Sequence, residues 1–293
     1  MRIEARLVLD FRGIPEERAR DVLVFVGLKR EIEEKYLTGL QVVKIYKDCD
    51  KYKILRQKLK EFEIDFLETE DEIFTKKELL SSPILCIIPN AHRGGYPQPE
   101  GGEKEENYQG HSYDLDTGCK YCTRGRLQNR PLRLKSSVKM GNNDMSGIWW
   151  MRELVVTKKL RNLIEDAELT GCEFWPLIKH GKNVPFEDIF QLKIVGTLPA
   201  MSAKTNIIYE REWIFEGRKM KSCPYGCGER YVKGSIYYCA SDLVSILDFA
   251  LTQEWFGSND EYWRWPFLSQ KAYRLFVDNK IKGVRFYPPV VVE

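Results

Sequence analysis

No apolar run in this chain approaches the roughly 18 residues that a membrane-spanning helix needs. The opening stretch, MRIEARLVLDF, carries no cleavable signal pattern, because Glu4 and Arg6 interrupt its apolar residues. No charge of one sign dominates: 46 Lys and Arg stand against 43 Asp and Glu. A net charge of +3 gives no strong push toward nucleic acid or an anionic membrane. G-x-S-x-G, Walker, G-x-G-x-x-G and H-E-x-x-H patterns are all missing. Only three histidines occur, and His180 sits in a polar segment beside Lys179 and Lys182. Acidic neighbours such as Glu165 and Asp166, or Asp114 and Asp116, read as solvated. These absences exclude the common catalytic constellations, and the expectation is a cytoplasmic protein that is not an enzyme.

Cysteine is plentiful, with eight in the chain. Disulfides need an oxidising compartment, so closely spaced pairs in the cytosol read as metal ligands or redox thiols. Two pairs stand out, Cys119-Lys-Tyr-Cys122 and Cys223-Pro-Tyr-Gly-Cys227. Four thiolates from two tight turns suit a closed, tetrahedral structural Zn2+ site. Cys119, Cys122, Cys223 and Cys227 are therefore the candidate ligands of one shared ion. Two separate sites, drawing on His92, His111 or Cys239, and a metal-free arrangement stay open as alternatives. A thioredoxin-like role would need the first pair to open a helix, whereas strand-like residues follow it. Cys86, Cys49 and Cys172 read as inert or apolar-slot thiols.

The chain also says one thing twice. TKKLRNLIEDAELTGCEFWP at 157–176 aligns without a gap with SQKAYRLFVDNKIKGVRFYP at 269–288, an offset of 112 residues. Each copy reads as a helix N-cap (Thr157 or Ser269), a helix of about eleven residues, a glycine (Gly171 or Gly283) and a short strand. The glycines are expected to close the helices in the left-handed conformation. Upstream, strand-like alternation at 2–10 and 40–47, helical patterns from Pro15 to about Tyr36 and at 49–61, and a short apolar strand at 83–88 suggest a small domain. Residues 90–118 lose all periodicity and carry many Gly and Pro. The expected organisation is α+β: a small α/β-like domain at 1–90, a linker or long loop at 91–118, and a duplicated, zinc-ribbon-like domain at 119–293.

All seven tryptophans lie in the C-terminal half. Trp149-Trp150 and the Tyr262-Trp263-Arg264-Trp265 stretch cannot all point inward. Trp150, Trp263 and Trp265, with Arg124 and Arg126, are the candidate partner-binding residues, since Trp, Tyr and Arg dominate interface hot spots. Base stacking is the nucleic-acid version of the same chemistry, with Arg130 and Arg133 extending a basic rim.

The segment CKYCTRGRLQNRPLRL (119–134), the second thiol turn and the two helix–Gly–Phe–Pro units resemble the bacterial double-CxxCG-motif proteins. These are mostly uncharacterised, with members described as immunity proteins of contact-dependent or polymorphic toxin systems. The resemblance covers about residues 115–293. It departs at both turns: Thr123 stands where glycine is expected, and the second pair is spaced CxxxC. It implies a non-enzymatic cytosolic protein that sequesters a toxin.

Overall fold

The computed structural model describes residues 1–27, 39–90, 94–95, 112–114, 116–122, 124–148, 151–179, 181–210, 212–215, 218–221, 223, 225, 227, 229–258 and 261–293. Contacts divide the chain into two units, Met1–Glu78 and Leu79–Glu293. Both helices and strands build it, as an α+β chain.

The first unit contains β1 (Arg2–Asp10), α1 (Glu16–Val26), β2 (Leu40–Tyr46), α2 (Asp50–Glu61) and β3 (Asp65–Ile73). Its antiparallel sheet runs β2-β1-β3. Alternation in β1 sends Ala5, Leu7 and Leu9 into a core with Leu23 of α1 and Leu55 and Leu59 of α2. Gly27, at φ 86°, stops α1, its N–H bonded to the Leu23 and Val24 carbonyls. The expected continuation toward Tyr36 lies outside the described residues. A short helix, α3 (Lys76–Ser81), opens on a capping box in which Thr75 and Glu78 exchange backbone and side-chain hydrogen bonds.

The second unit holds most of the strands. They are β4 (Ile84–Pro89), β5 (Arg133–Leu134), β6 (Met145–Ile148), β7 (Met151–Thr157), β8 (Cys172–Lys179), β9 (Pro185–Ile194) and β10 (Gly196–Thr197), with α4 (Lys158–Asp166) between β7 and β8. There follow β11 (Ile207–Glu210), β12 (Glu212–Phe215), β13 (Arg218–Lys221), β14 (Glu229–Val232), β15 (Tyr237–Cys239), β16 (Phe249–Leu251), β17 (Phe256–Ser258) and β18 (Glu261–Trp263). The chain ends with β19 (Pro266–Ser269), α5 (Gln270–Asp278), β20 (Val284–Tyr287) and β21 (Val290–Val292).

Two five-stranded sheets carry the repeated segments. One runs β5-β8-β9-β7-β6 and the other β10-β16-β19-β4-β20. The series β8-β9-β7-β6 and β20-β4-β19-β16 correspond place for place, all antiparallel. The registers agree as well. Phe174 faces Leu192, and Phe286 faces Ile87; Thr157 faces Ile189, and Ser269 faces Ile84. Residues 84–89 thus occupy in the second sheet the place of residues 189–194 in the first.

This moves the domain boundary expected at residue 90. PILCII does not finish the N-terminal unit; β4 lies between β19 and β20, and the division falls at Glu78/Leu79. The physical reason is burial on both faces, since Ile84, Leu85, Cys86 and Ile87 are all almost inaccessible. Most of the expected 91–118 linker lies outside the described residues. The parts described are packed: Gly94 bridges to Val138, and Tyr113 to Gln128.

Thr157 and Ser269 cap α4 and α5 as expected, each accepting the N–H three residues on. The glycines do not close the helices. Glu168 (φ 50°) and Lys280 (φ 52°) take the left-handed position, and the N–H groups of Leu169 and Ile281 reach back to Ile164 and Phe276. Gly171 and Gly283 serve close approach between the two halves instead. A Cβ on Gly171 would lie 2.1 Å from the Phe249 carbonyl oxygen, and one on Gly283 2.1 Å from that of Met145. Two backbone bonds cross there: Phe249 N–H to Thr170 O at 2.9 Å and Met145 N–H to Lys282 O at 3.1 Å.

One core joins the facing sides of both sheets with α4 and α5. Leu85, Ile87, Leu154, Val156, Leu192 and Phe276 meet in it, each fully buried side chain contributing about 1.5–3 kcal/mol. The outer faces are covered separately. Leu132 and Val138 pack with Leu134, Val155, Leu177 and Ile189 of the first sheet. Met201, Tyr238, Leu243 and Phe256 lie over Ile84, Cys86, Ala250 and Phe267 of the second.

Candidate metal centre

Each covering layer carries one thiol pair. The first pair sits in a loop that folds on itself. Asp114 N–H bonds to Leu127 O at 2.9 Å, and Leu127 N–H to Thr117 Oγ1 at 3.0 Å. Cys119 N–H then bonds to Arg124 O at 2.8 Å, closing the tight turn around Cys122. Gly118, at φ 71°, makes the closure possible; a Cβ there would lie 2.4 Å from Arg124 O and 2.5 Å from Arg126 N. The second pair lies between β13 and β14, the latter in the sheet β11-β14-β17-β18.

The two turns meet. The Sγ atoms of Cys119, Cys122, Cys223 and Cys227 all lie within 4.8 Å of one another. Cys119 and Cys223, 104 residues apart, approach to 3.4 Å. That is far beyond a disulfide bond of about 2.05 Å, and all eight cysteines are free thiols. Cys122 and Cys223 are buried, Cys119 and Cys227 half-buried, and Tyr262 and Trp255 pack around them. Four convergent thiols of this kind could hold a metal ion.

Electrostatics in the group is uneven. Desolvation pushes the Cys119 thiol up, but the N–H groups of Cys122 and Tyr121 and the Cys223 and Cys122 thiols outweigh it and bring the group down to about 7. Burial first, and the neighbouring thiols next, push Cys122 up despite the Arg124 N–H. Burial also raises Cys227. Tyr262 is raised by desolvation and by the Cys122, Cys227 and Cys223 sulfurs beside it. A thiol poised to ionise among neighbours that resist it is an arrangement that a cation relieves.

No family model and no curated protein matches the chain. The site therefore stands on its own geometry.

Of the other metal candidates, His92, His111 and His180 lie outside the described residues. Cys239 lies in β15, apart from the four-thiol group. Cys86 is buried in β4 and its thiol pushed up by desolvation; Cys172 rises to about 12, mainly for the same reason. Cys172 and its counterpart Val284 both pack against the shared core, as the aligned segments imply.

The partner-binding candidates do not gather on one open face. Trp150 lies outside the described residues. Trp263 and Trp265 are half-buried and pack on the core outside the second sheet, Trp265 edge-on to Phe256 at 5.9 Å. Arg124 and Arg126 are half-buried in the first thiol turn, where Arg126 donates to Lys120 O at 3.3 Å. Other aromatics are exposed, among them Tyr121, 53% exposed, and Tyr225, 70% exposed, which lie inside the two thiol turns. The shared C-x-Y spacing was the signal available for them in the sequence.

A polar network without any sequence signal docks the first turn onto its sheet. Gln128 and the fully buried Gln191 exchange both amide hydrogen bonds, at 2.7 and 2.8 Å. Gln191 and Tyr113 both donate to Glu153, and Lys193 Nζ donates to Gln128 O while lying 3.4 Å over the Trp175 ring. Gln191 holds the register position that Cys86 holds in the other sheet. The loop bearing Cys119 and Cys122 is thereby anchored on β7 and β9.

Proposed function

We propose that the chain is a non-enzymatic binding protein, stapled by one structural zinc ion and built from a duplicated module, of the immunity type that sequesters a bacterial toxin in the cytoplasm. One observation carries the stapling: two thiol pairs from the covers of two matching sheets converge within 4.8 Å. Zinc bound to four thiolates at about 2.3 Å requires sulfur separations of about 3.8 Å, so the donor set fits that ion. Such a site holds the two covers together and contributes folding free energy directly.

The matching strand orders, registers and caps support duplication, with one permutation. In the first module the strand next to β8 follows it in the chain; in the second the equivalent strand, β4, comes first. The paired thiol turns support a ribbon-like zinc module.

The toxin-binding part rests on the resemblance of residues 115–293 to double-CxxCG-motif proteins. It agrees with exposed Tyr121, Tyr225 and Leu127 on the thiol turns, residues able to anchor a protein interface. The experiment is co-purification with the product of a neighbouring toxin gene, followed by titration. Tyr121→Ala or Tyr225→Ala should weaken the complex about tenfold or more, with little dependence on salt. Failure to bind any such product rejects the immunity reading.

A second reading, a zinc-ribbon protein binding nucleic acid, is favoured by the same two tyrosines beside Lys120, Arg124 and Arg126. Stacking platforms flanked by cations suit single strands. Gel-shift titration with mixed-sequence DNA and RNA separates the two. Binding that falls steeply between about 50 and 200 mM salt replaces the first reading.

A further inference from the structure

The three-stranded sheet of the first unit has one covered face and one open face. Ala5, Leu7, Leu9 and Val43 point into the core with Leu23, Leu55 and Leu59 of α1 and α2. Strand alternation sends Val8, Val42 and Leu67 the other way, and none of them joins that core. The register sets Val42 beside Val8 and Val8 beside Leu67, one apolar row across all three strands. Val42 is 44% and Leu67 65% exposed, and Leu40, in the next row, is 58% exposed.

Charge is ordered about that row. On one side lie Asp10 and Asp65 with Leu40; on the other lie Arg6 and Lys44 with Thr69. Lys44 reaches Glu4 at 3.4 Å, and Asp10 binds Arg12. Arg6 and Asp65 are exposed and form no ion pair among the described residues. A symmetric dimer needs a patch that complements itself. A two-fold axis along the Val42–Val8–Leu67 row meets that need. It lays apolar row on apolar row, Arg6 against the partner's Asp10, and the Lys44 stem over the partner's Leu40. An axis along the strands would instead stack Arg6 on Arg6 and Asp10 on Asp10, so the charges select the first arrangement.

We infer that this open face is a contact between two copies of the chain, packed sheet on sheet across the Val42–Val8–Leu67 row. Strands about 4.8 Å apart, with a rise of about 3.4 Å per residue, give the face an area of roughly 400 Å². A stable complex buries about 800 Å² per partner, so this dimer is weak, forming at roughly 10 µM to 1 mM. The contact lies within the first unit and does not depend on the reading proposed above.

The test is sedimentation equilibrium of the full-length, reduced protein from about 10 µM to 1 mM, at about 50 mM salt to limit screening. A monomer–dimer equilibrium is expected. Leu67→Glu should weaken it about tenfold or more, by placing a charge in the apolar row. Because Leu67 lies outside the core, that variant keeps its fold, which its melting temperature checks. Arg6→Asp and Asp10→Arg should each weaken association about tenfold or more, since each sets like charges together at both symmetric contacts. Mixing those two variants should restore it, because both contacts then join opposite charges. A chain monomeric throughout, a dimer that Leu67→Glu leaves intact, or a mixture no tighter than either variant alone overturns the proposal.

Discussion

Asp144 and Asp248 do the same work for opposite halves of the second unit. The Asp144 carbonyl accepts the N–H of Thr157, the cap of α4, while its carboxylate accepts the N–H of Lys282 in the other copy at 3.0 Å. The Asp248 carbonyl accepts the N–H of Ser269, the cap of α5, while its carboxylate accepts the N–H of Thr170 at 2.9 Å. Each aspartate thus ties its own helix start to the loop that follows the opposite helix.

The two locks differ in depth, and so should their removal. Asp248 is buried and also accepts the Thr170 and Ser269 hydroxyls, at 3.0 and 2.6 Å. Asp248→Ala leaves several donors unsatisfied and should cost about 3 kcal/mol, against about 1–2 for the more accessible Asp144→Ala. Denaturant unfolding of both variants measures this; equal losses would contradict the difference in burial.

Acid should weaken the same lock. Desolvation pushes the Asp248 carboxyl up, but the Ser269 and Thr170 hydrogen bonds and nearby Lys271 outweigh it, and the net shift is downward. A carboxyl held below its unfolded value contributes stability that is complete above that value, about 4, and is lost as pH falls through the folded one. Asp248→Asn should therefore flatten the stability profile below about pH 4. An unchanged acid slope would remove Asp248 from the account.

Chelation tests the metal. Protein purified without chelator should contain about one zinc per chain, and stripping it should lower stability by several kcal/mol. Cys122→Ser or Cys223→Ser should abolish the metal content. Elemental analysis showing no metal, with all eight thiols titrating freely in the native protein, would reject the site.

Three glycines separate backbone strain from collision. Gly181, at φ 70°, has open space where a Cβ would stand, so Gly181→Ala should cost only about 1 kcal/mol of strain. Gly171→Ala and Gly283→Ala add a Cβ 2.1 Å from a carbonyl oxygen of the other half, and each should cost about 3 kcal/mol or more. Thermal melts of the three variants decide whether contact between the halves matters.

Truncation tests the boundary. Removing residues 1–78 should leave a cooperatively melting remainder, because that cut spares both five-stranded sheets. Removing residues 1–90 also takes β4 from between β19 and β20 and strips Leu85 and Ile87 from the shared core. That shorter chain should not fold. If both truncations behave alike, the division at Glu78/Leu79 is wrong.

What the sequence determined by itself was local or repeated. The caps Thr157 and Ser269 show because an N-cap depends on a hydroxyl and the next three residues. The four thiols show because their chemistry is carried by residue type and spacing. Only the tertiary structure decided which sheet PILCII joins. Apolar runs mark a buried strand without naming its neighbours, and residues 84–89 share little with 189–194 although they fill the same place. Tertiary packing likewise turned Gly171 and Gly283 from helix closers into points of contact between the halves. It drew Trp263 and Trp265 half into a core while leaving Tyr121 and Tyr225 outside. In each case the deciding contacts are to other strands of the sheets and to their covers, most of them far along the chain, which no local pattern contains.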